Sequence, residues 1–255
     1  MLSVVNLSLK RIPMKTLRIL VADDHEVVRL GLVSIITSHP GWEVCAEAEN
    51  GRVAVDKAKA LKPDVAILDI GMPTLNGLEA TRQILRDNPR VNVLIMTVAD
   101  ADGVVRAALD AGARGFLLKS DAARDLVAAI EALQFDNTFF TARVADIVLS
   151  GYLGNAHVTK RAGMTLPTLT SREREVIQLL AEGKSTKEVA CLLDLTTKTA
   201  ETHRSNIRRK LNLHSVSELV LFAVRNGIIQ VPTNEIEDSV INSRAQVAVP
   251  GPVAA

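Results

Sequence analysis

The chain has 255 residues, enough for about two domains, and its 47% hydrophobic and 23% charged residues are the composition of a globular protein. Aromatic residues make up only 3%, so core burial rests on Val, Leu, Ile and Ala. The net charge is +1, but residues 16–133 carry 13 basic against 17 acidic side chains and residues 170–230 carry 10 against 7, a split that suits cation or phosphate chemistry joined to a polyanion binder.

Residues 1–15 form an N-terminal extension in which basic residues follow a short apolar stretch, the wrong order for a secretory signal. Met14 is an alternative start. Short apolar runs then occupy residues 17–22, 44–48, 65–68, 93–96 and 115–118. Their Val, Ile and Leu content and polar or glycine borders predict buried parallel strands. Helical periodicity fills residues 26–38, 52–61, 78–88, 103–111 and 122–133. The alternation predicts a doubly wound, five-stranded parallel sheet of order 2-1-3-4-5 over residues 16–134, with helices on both faces.

Residues 135–166 read as a linker, with a short helix expected over 142–149. Residues 167–230 predict a small all-α unit of four helices over 171–182, 186–193, 197–211 and 215–226, with Gly183 and Gly227 at helix ends. Residues 231–255, with Pro232, Pro250 and Pro252, are expected to be a disordered tail. Cys45 and Cys191 fall in separate predicted units, which argues against a disulfide and for a reducing, cytoplasmic setting. No apolar run reaches the length of a membrane span, so no membrane association is expected.

Ligands of an open parallel sheet bind beyond the carboxyl ends of the strands, where the strand order reverses. The first predicted strand ends at Asp23 and Asp24 and the third at Asp69, so three carboxylates converge there. Such a cluster repels itself unless a cation joins it, and an all-oxygen set favours Mg²⁺. A carboxylate beside Mg²⁺ can attack a phosphoryl group. The fourth strand ends at Thr97, a hydroxyl donor, and the fifth brings Lys119, which offsets negative charge. Each of these residues taken alone is more often a cap, a turn or a solvated charge; it is their joint placement at strand ends that points to a site.

The runs Val21-Ala22-Asp23-Asp24-His25, Leu68-Asp69-Ile70-Gly71-Met72-Pro73, Met96-Thr97 and Gly115-Phe116-Leu117-Leu118-Lys119 resemble, in order and spacing, the landmarks of receiver domains. The resemblance implies a flavodoxin-like fold and phosphorylation of Asp69 by a sensor histidine kinase. It further implies Mg²⁺ ligation by Asp24, Asp69 and the Gly71 carbonyl with Asp23 acting through water, a Thr97–Phe116 switch pair, and Lys119 as the phosphoryl-side cation. The switch would draw Thr97 toward the phosphoryl group and let Phe116 turn inward; the alternative is that Phe116 is a fixed core aromatic. Ser120 stands where many receivers have proline.

In the second unit, residues 186–193 and 197–211 form two helices joined by a turn at Asp194, where a left-handed backbone is often required. In a helix-turn-helix the second helix enters the major groove. Ala200, Ile207 and Leu211 mark its inner face, and Lys198, Glu201, Thr202, Ser205, Arg208 and Arg209 its outer stripe, flanked by His203, Arg204 and Asn206. Those donors and acceptors suit base edges and phosphates, although a basic amphipathic helix is about as often simply solvated. Leu169-Thr170-Ser171-Arg172-Glu173-Arg174-Glu175-Val176, Lys198-Thr199-Ala200-Glu201-Thr202-His203-Arg204 and Ile207-Arg208-Arg209-Lys210-Leu211 are similar to the LuxR-type DNA-binding domain, with Asp194 in place of the usual Gly and Ala200 in place of Val.

With the receiver, the whole resembles the NarL/FixJ class of two-component response regulators. That implies a non-enzymatic transcription factor that binds double-stranded DNA, as a homodimer when active, and that engages RNA polymerase. Phosphorylation would free the DNA-binding helix, promote dimers, or both. Two other readings use the same residues: a magnesium phosphohydrolase with an aspartyl-phosphate intermediate, disfavoured because Gly71 occupies the position two after Asp69, and a small-ligand regulator that only looks like a receiver. RNA in place of DNA has no motif support.

Overall fold

The computed structural model describes residues 16–98, 102–141, 144–146 and 169–229. The first unit alternates β1 (Leu17–Ala22), α1 (Glu26–Ser38), β2 (Trp42–Ala48), α2 (Gly51–Leu61), β3 (Val65–Asp69), α3 (Gly77–Asp87), β4 (Asn92–Thr97), α4 (Asp102–Asp110), β5 (Gly115–Leu118), α5 (Ala122–Gln134) and β6 (Phe139–Phe140). The sheet is parallel, with order β2-β1-β3-β4-β5-β6. It therefore has one strand beyond the five expected: Phe139 and Phe140 pair with Gly115 and Phe116 along the outer edge of β5.

Alternation along each strand divides the core in two. Leu20, Ala22, Leu68, Ile95 and Phe116 pack toward α2, α3 and α4. Ile19, Val21, Ile67, Leu94 and Leu117 pack toward α1 and α5. β3 and β4 are buried along their whole length, as central strands covered on both faces must be.

The loop from β3 to α3 is closely packed. An added Cβ on Gly77 would lie 2.1 Å from the Asp69 carbonyl oxygen, and one on Gly51 would lie 2.0 Å from that of Leu75. Gly77→Ala must displace backbone beside the acidic cluster and is expected to destabilise the chain by about 2 kcal/mol or more. A denaturant midpoint unchanged from wild type would contradict this.

The second unit contains α6 (Ser171–Ala181), α7 (Thr186–Leu192), α8 (Thr197–Leu211) and α9 (Val216–Arg225). Each helix begins at a hydroxyl cap: the side chains of Thr170, Ser185, Thr196 and Ser215 accept from backbone N–H groups of the first turn. Glu173 and Glu188 complete capping boxes. Val176, Leu179, Val189, Ala200, Ile207, Leu219 and Ala223 are among the side chains of its core. Asp194 has φ 51°, and Gly183 and Gly227 have φ 85° and 63°, so the turn and helix ends fall where the sequence places left-handed backbone.

The helix expected over 142–149 lies mostly outside the described residues, of which 144–146 are helical. The N-terminal extension, residues 142–143 and 147–166 of the linker, and the tail also lie outside them, whereas residues 135–141, read from the sequence as linker, are described and include β6 on the sheet edge. No described helix is long and apolar enough to cross a membrane.

Candidate phosphoacceptor site and nucleic-acid interface

The sheet order reverses between β1 and β3, and both strands end in carboxylates there. Asp23 and Asp69 are 1% and 3% exposed, while Asp24 sits at the open mouth. Lys119, just past β5, reaches across: its Nζ lies 2.7 Å from Asp23 Oδ2 and 3.2 Å from Asp69 Oδ1. Neither of those buried oxygens has a geometrically good hydrogen bond, so the ammonium is their close counter-charge. Burial, opposed by Lys119 and reinforced by Asp23, pushes the Asp69 carboxyl up to about 6. Burial alone would lower Lys119, yet Asp69 and Asp23 hold its ammonium above the ordinary range.

The structure thus brings Asp23, Asp24, Asp69 and Lys119 together. It adds His25, which the sequence reading did not assign to the site. Ligand atoms of Asp23, Asp24, His25 and Asp69 all lie within 4.8 Å of one another. The His25 backbone N–H donates to Asp23 Oδ1 at 2.9 Å, and its ring Nδ1 lies 2.8 Å from Asp24 Oδ1. Its place immediately after the two aspartates is the only sequence signal. Three convergent carboxylates, two with buried oxygens poor in hydrogen bonds, fit a hard divalent cation such as Mg²⁺.

Gly71 follows Asp69 in the β3–α3 loop, where Thr74 adopts φ +68°. Thr97, buried at the end of β4, pairs in register with Leu118. Phe116 is 1% exposed and packed inward in the core. A short 3-10 turn over Lys119–Asp121 includes Ser120, the position of the missing proline.

On α8, Lys198, Glu201, Thr202, Ser205, Arg208 and Arg209 are exposed and His203, Arg204 and Asn206 half-buried, while Ala200 and Ile207 are buried. The outer stripe therefore faces solvent. Several of its cations are already engaged. Arg204 donates to Thr186 Oγ1 at 3.1 Å, Arg208 to the His214 carbonyl at 3.0 Å, and Arg209 to Asn206 Oδ1 at 3.0 Å. Lys210 turns inward to Glu173 at 2.8 Å, tying α8 to α6.

The two units dock through α6, a surface the sequence did not reveal. Arg174 Nε donates to the buried Glu79 Oε2 at 2.7 Å. Glu175 accepts from Gln83 at 2.8 Å and from Arg52 at 3.1 Å. Gln178 bonds the β3–α3 loop, and Asn76 Nδ2 donates to the Ile228 carbonyl at 2.8 Å. This docking buries α6 and leaves the α8 stripe open.

Residues 19–131 match the family described as "Response regulator receiver domain", and residues 167–223 match "Bacterial regulatory proteins, luxR family". Response regulator protein VraR of Staphylococcus aureus is 35% identical over 215 residues, which are 84% of this chain and 100% of VraR. A LuxR-family two-component response regulator from Aurantimonas shares the fold with TM-score 0.51 at 32% identity, over 54% of this chain and 99% of that one. RcsB from Salmonella enterica serovar Typhimurium, solved bound to promoter rprA in the presence of phosphomimetic BeF3-, matches with TM-score 0.53 at 25% identity, over 81% of this chain and 98% of that one. With both family matches in the same order and a relative spanned end to end, the chain belongs to the two-component response regulators that join a receiver domain to a LuxR-type DNA-binding domain.

Proposed function

We propose that Asp69 is the phosphoacceptor of this regulator and that the phosphoryl group controls DNA binding through the exposed α8 stripe. The receiver is taken as residues 16–134 and the DNA-binding domain as 167–230. The observation that carries the reading is the Lys119 ammonium held between the buried Asp23 and Asp69 carboxylates. That geometry stores a nucleophilic carboxylate against its counter-charge in a poorly hydrated site.

In the reaction, an Asp69 carboxylate oxygen attacks the phosphorus of a phosphohistidine on a sensor kinase. The bond from phosphorus to the imidazole nitrogen breaks, and its electron pair stays on that nitrogen. Asp23, Asp24, Asp69 and the Gly71 carbonyl would hold Mg²⁺, which supplies charge neutralisation for the transferred oxygens. Lys119 moves from neutralising the carboxylates to binding a phosphoryl oxygen, and the Thr97 hydroxyl donates to another. The product carries about −1.5 to −2 charges where the carboxylate carried one.

Phe116 already packs inward in this conformation. Packed this way Phe116 fits the fixed core aromatic, a reading that favours Thr97 and the loops as the moving parts. The open α8 stripe likewise favours control by pairing of two copies over unmasking of the helix. A homodimer would present two stripes to half-sites about one helical turn apart. The protein then acts as a cytoplasmic transcription regulator and not as an enzyme turning over free phosphoesters, with RNA polymerase as the next partner.

The test is DNA selection from random duplexes by the full chain, with and without acetyl phosphate and Mg²⁺. A two-fold-symmetric site bound more tightly with donor is expected. Asymmetric or donor-independent binding would overturn the reading. Lys198→Glu, on the exposed stripe, is expected to weaken the selected site at least about tenfold and to flatten its salt dependence; unchanged affinity would remove α8 from the interface.

A further inference from the structure

Residues 70–76 connect the phosphoacceptor strand to α3 and include Gly71, whose carbonyl is the proposed main-chain ligand of the acidic cluster. Within the receiver the side chains of Ile70, Met72 and Leu75 anchor the loop in the core, and its backbone bonds to the rest of the domain lie at its base and far bend. Ile70 N–H donates to the Met96 carbonyl and Gly77 N–H to the Ile70 carbonyl, both at 3.1 Å, and Gly51 N–H donates to the Leu75 carbonyl at 3.1 Å. Its two arms are spanned by a side chain from the other domain. Gln178 on α6, 2% exposed, accepts from the Asn76 backbone N–H at 2.8 Å and donates through Nε2 to the Met72 carbonyl at 3.1 Å.

The orientation of that amide follows from its partners. The Met72 carbonyl and the Glu182 carboxylate, 2.7 Å from Nε2, can only accept, and the Asn76 N–H can only donate. Every polar atom of the amide is engaged, so the loop cannot shift at Met72 or Asn76 without leaving a buried donor or acceptor unpaired. Asn76 is held again through Nδ2 by the Ile228 carbonyl, and its Oδ1 caps α3 by accepting from Glu79 N–H at 2.8 Å. The Met72 carbonyl lies in the peptide plane next to that of the Gly71 carbonyl, the two planes meeting at the Met72 Cα, so a shift of the clamped plane reaches the Gly71 carbonyl through the φ and ψ of Met72.

We propose that Gln178 is a positioning residue for the phosphoacceptor site: by clamping Met72 and Asn76 from the DNA-binding domain, it sets the aim of the Gly71 carbonyl and links Mg²⁺ affinity to domain docking. The proposal rests on the assignment of Asp69 and its neighbours as the Mg²⁺ and phosphoryl site. Linkage makes the effect reciprocal: if docking strengthens Mg²⁺ binding, Mg²⁺ strengthens docking by the same factor. Glu175 provides the contrast, because its bonds to Gln83 and Arg52 join the domains without touching the loop.

The experiment is calorimetric titration of the full chain with Mg²⁺, paired with amide hydrogen exchange over residues 70–77 and 171–181. Gln178→Leu removes both loop bonds at similar volume. Gln178→Glu keeps the acceptor for Asn76 but faces the Met72 carbonyl with an oxygen. Both are expected to weaken Mg²⁺ binding about fivefold or more and to speed exchange at Asn76, whereas Gln83→Ala stays within about twofold of wild type. In wild type, Mg²⁺ should slow exchange across 171–181, and in Gln178→Leu it should not. Mg²⁺ affinity unchanged in both Gln178 variants, or weakened equally by Gln83→Ala, would overturn the proposal while leaving the acidic site intact. Failure of wild type to bind Mg²⁺ would instead overturn the site assignment and this inference with it.

Discussion

Lys119→Ala is expected to destabilise the metal-free chain by about 3 kcal/mol and to remove its response to phosphoryl donors. Its ammonium lies 2.7 Å and 3.2 Å from oxygens of two carboxylates that are almost wholly buried. Deleting one partner of a buried ionic group strands the others without compensation, at a typical cost of about 3–5 kcal/mol. The lower end applies because Asp69, whose carboxyl already titrates near 6, can take up a proton and relieve part of the repulsion. In a chain of this size the loss corresponds to a melting temperature lower by roughly 6–12 °C. Thermal melts in EDTA at pH 7 read it directly. The deficit should shrink at pH 5, where protonation of Asp69 disposes of one of the two charges. An unchanged melting temperature would mean that Lys119 does not compensate the pair.

Asp69→Asn should move stability the other way. Burial first, and then Asp23, hold the folded carboxyl at about 6 against an ordinary value of 3.8, although Lys119 pulls it down. Between those two values the folded chain keeps a proton that the unfolded chain has released. The contribution of Asp69 is therefore most favourable below about pH 4, falls as pH rises toward 6, and stays at its lowest level above that. A shift of this size corresponds to roughly 3 kcal/mol of destabilisation at pH 7. Asparagine keeps the shape without the charge, and loss of one Lys119 contact takes back part of the gain. The metal-free variant is expected to be about 2 kcal/mol more stable than wild type at pH 7, with a flatter pH profile between 4 and 6. Chemical denaturation in EDTA across that range decides it; a variant less stable than wild type at pH 7 would contradict the electrostatic account. The same strain is useful to the proposed chemistry, since a poorly solvated carboxylate is poised to accept a phosphoryl group or a cation.

Much of this architecture was legible in the residues because buried parallel strands and their crossover helices obey two clean periods. β1, β5, α1 and α8 begin and end where the pattern places them, and the others shift by a residue or two at termini, where caps decide the boundary. Asp194 was legible for a different reason, since the short turn between two helices demands a left-handed residue. β6 was not: two phenylalanines are too short a run to show alternation, and only the free edge of β5 makes them a strand.

The acidic cluster was legible because strand ends and the order reversal bring it together from distant positions. The docking surface was not. Arg174, Glu175 and Gln178 form a polar stripe along α6, and by composition such a stripe is a solvated face. Nothing local tells it from one whose partners, Glu79, Gln83 and the Met72 carbonyl, lie about a hundred residues away. The basic count of α8 likewise overstated its free charge, because Lys210 turns inward to Glu173.

The most direct test of the central claim is mass spectrometry of the intact chain and its peptides after treatment with acetyl phosphate and Mg²⁺. A single phosphoryl adduct, labile in base, is expected on the peptide containing Asp69, and none in Asp69→Asn. Absence of an adduct, or an equal adduct in the asparagine variant, would contradict it.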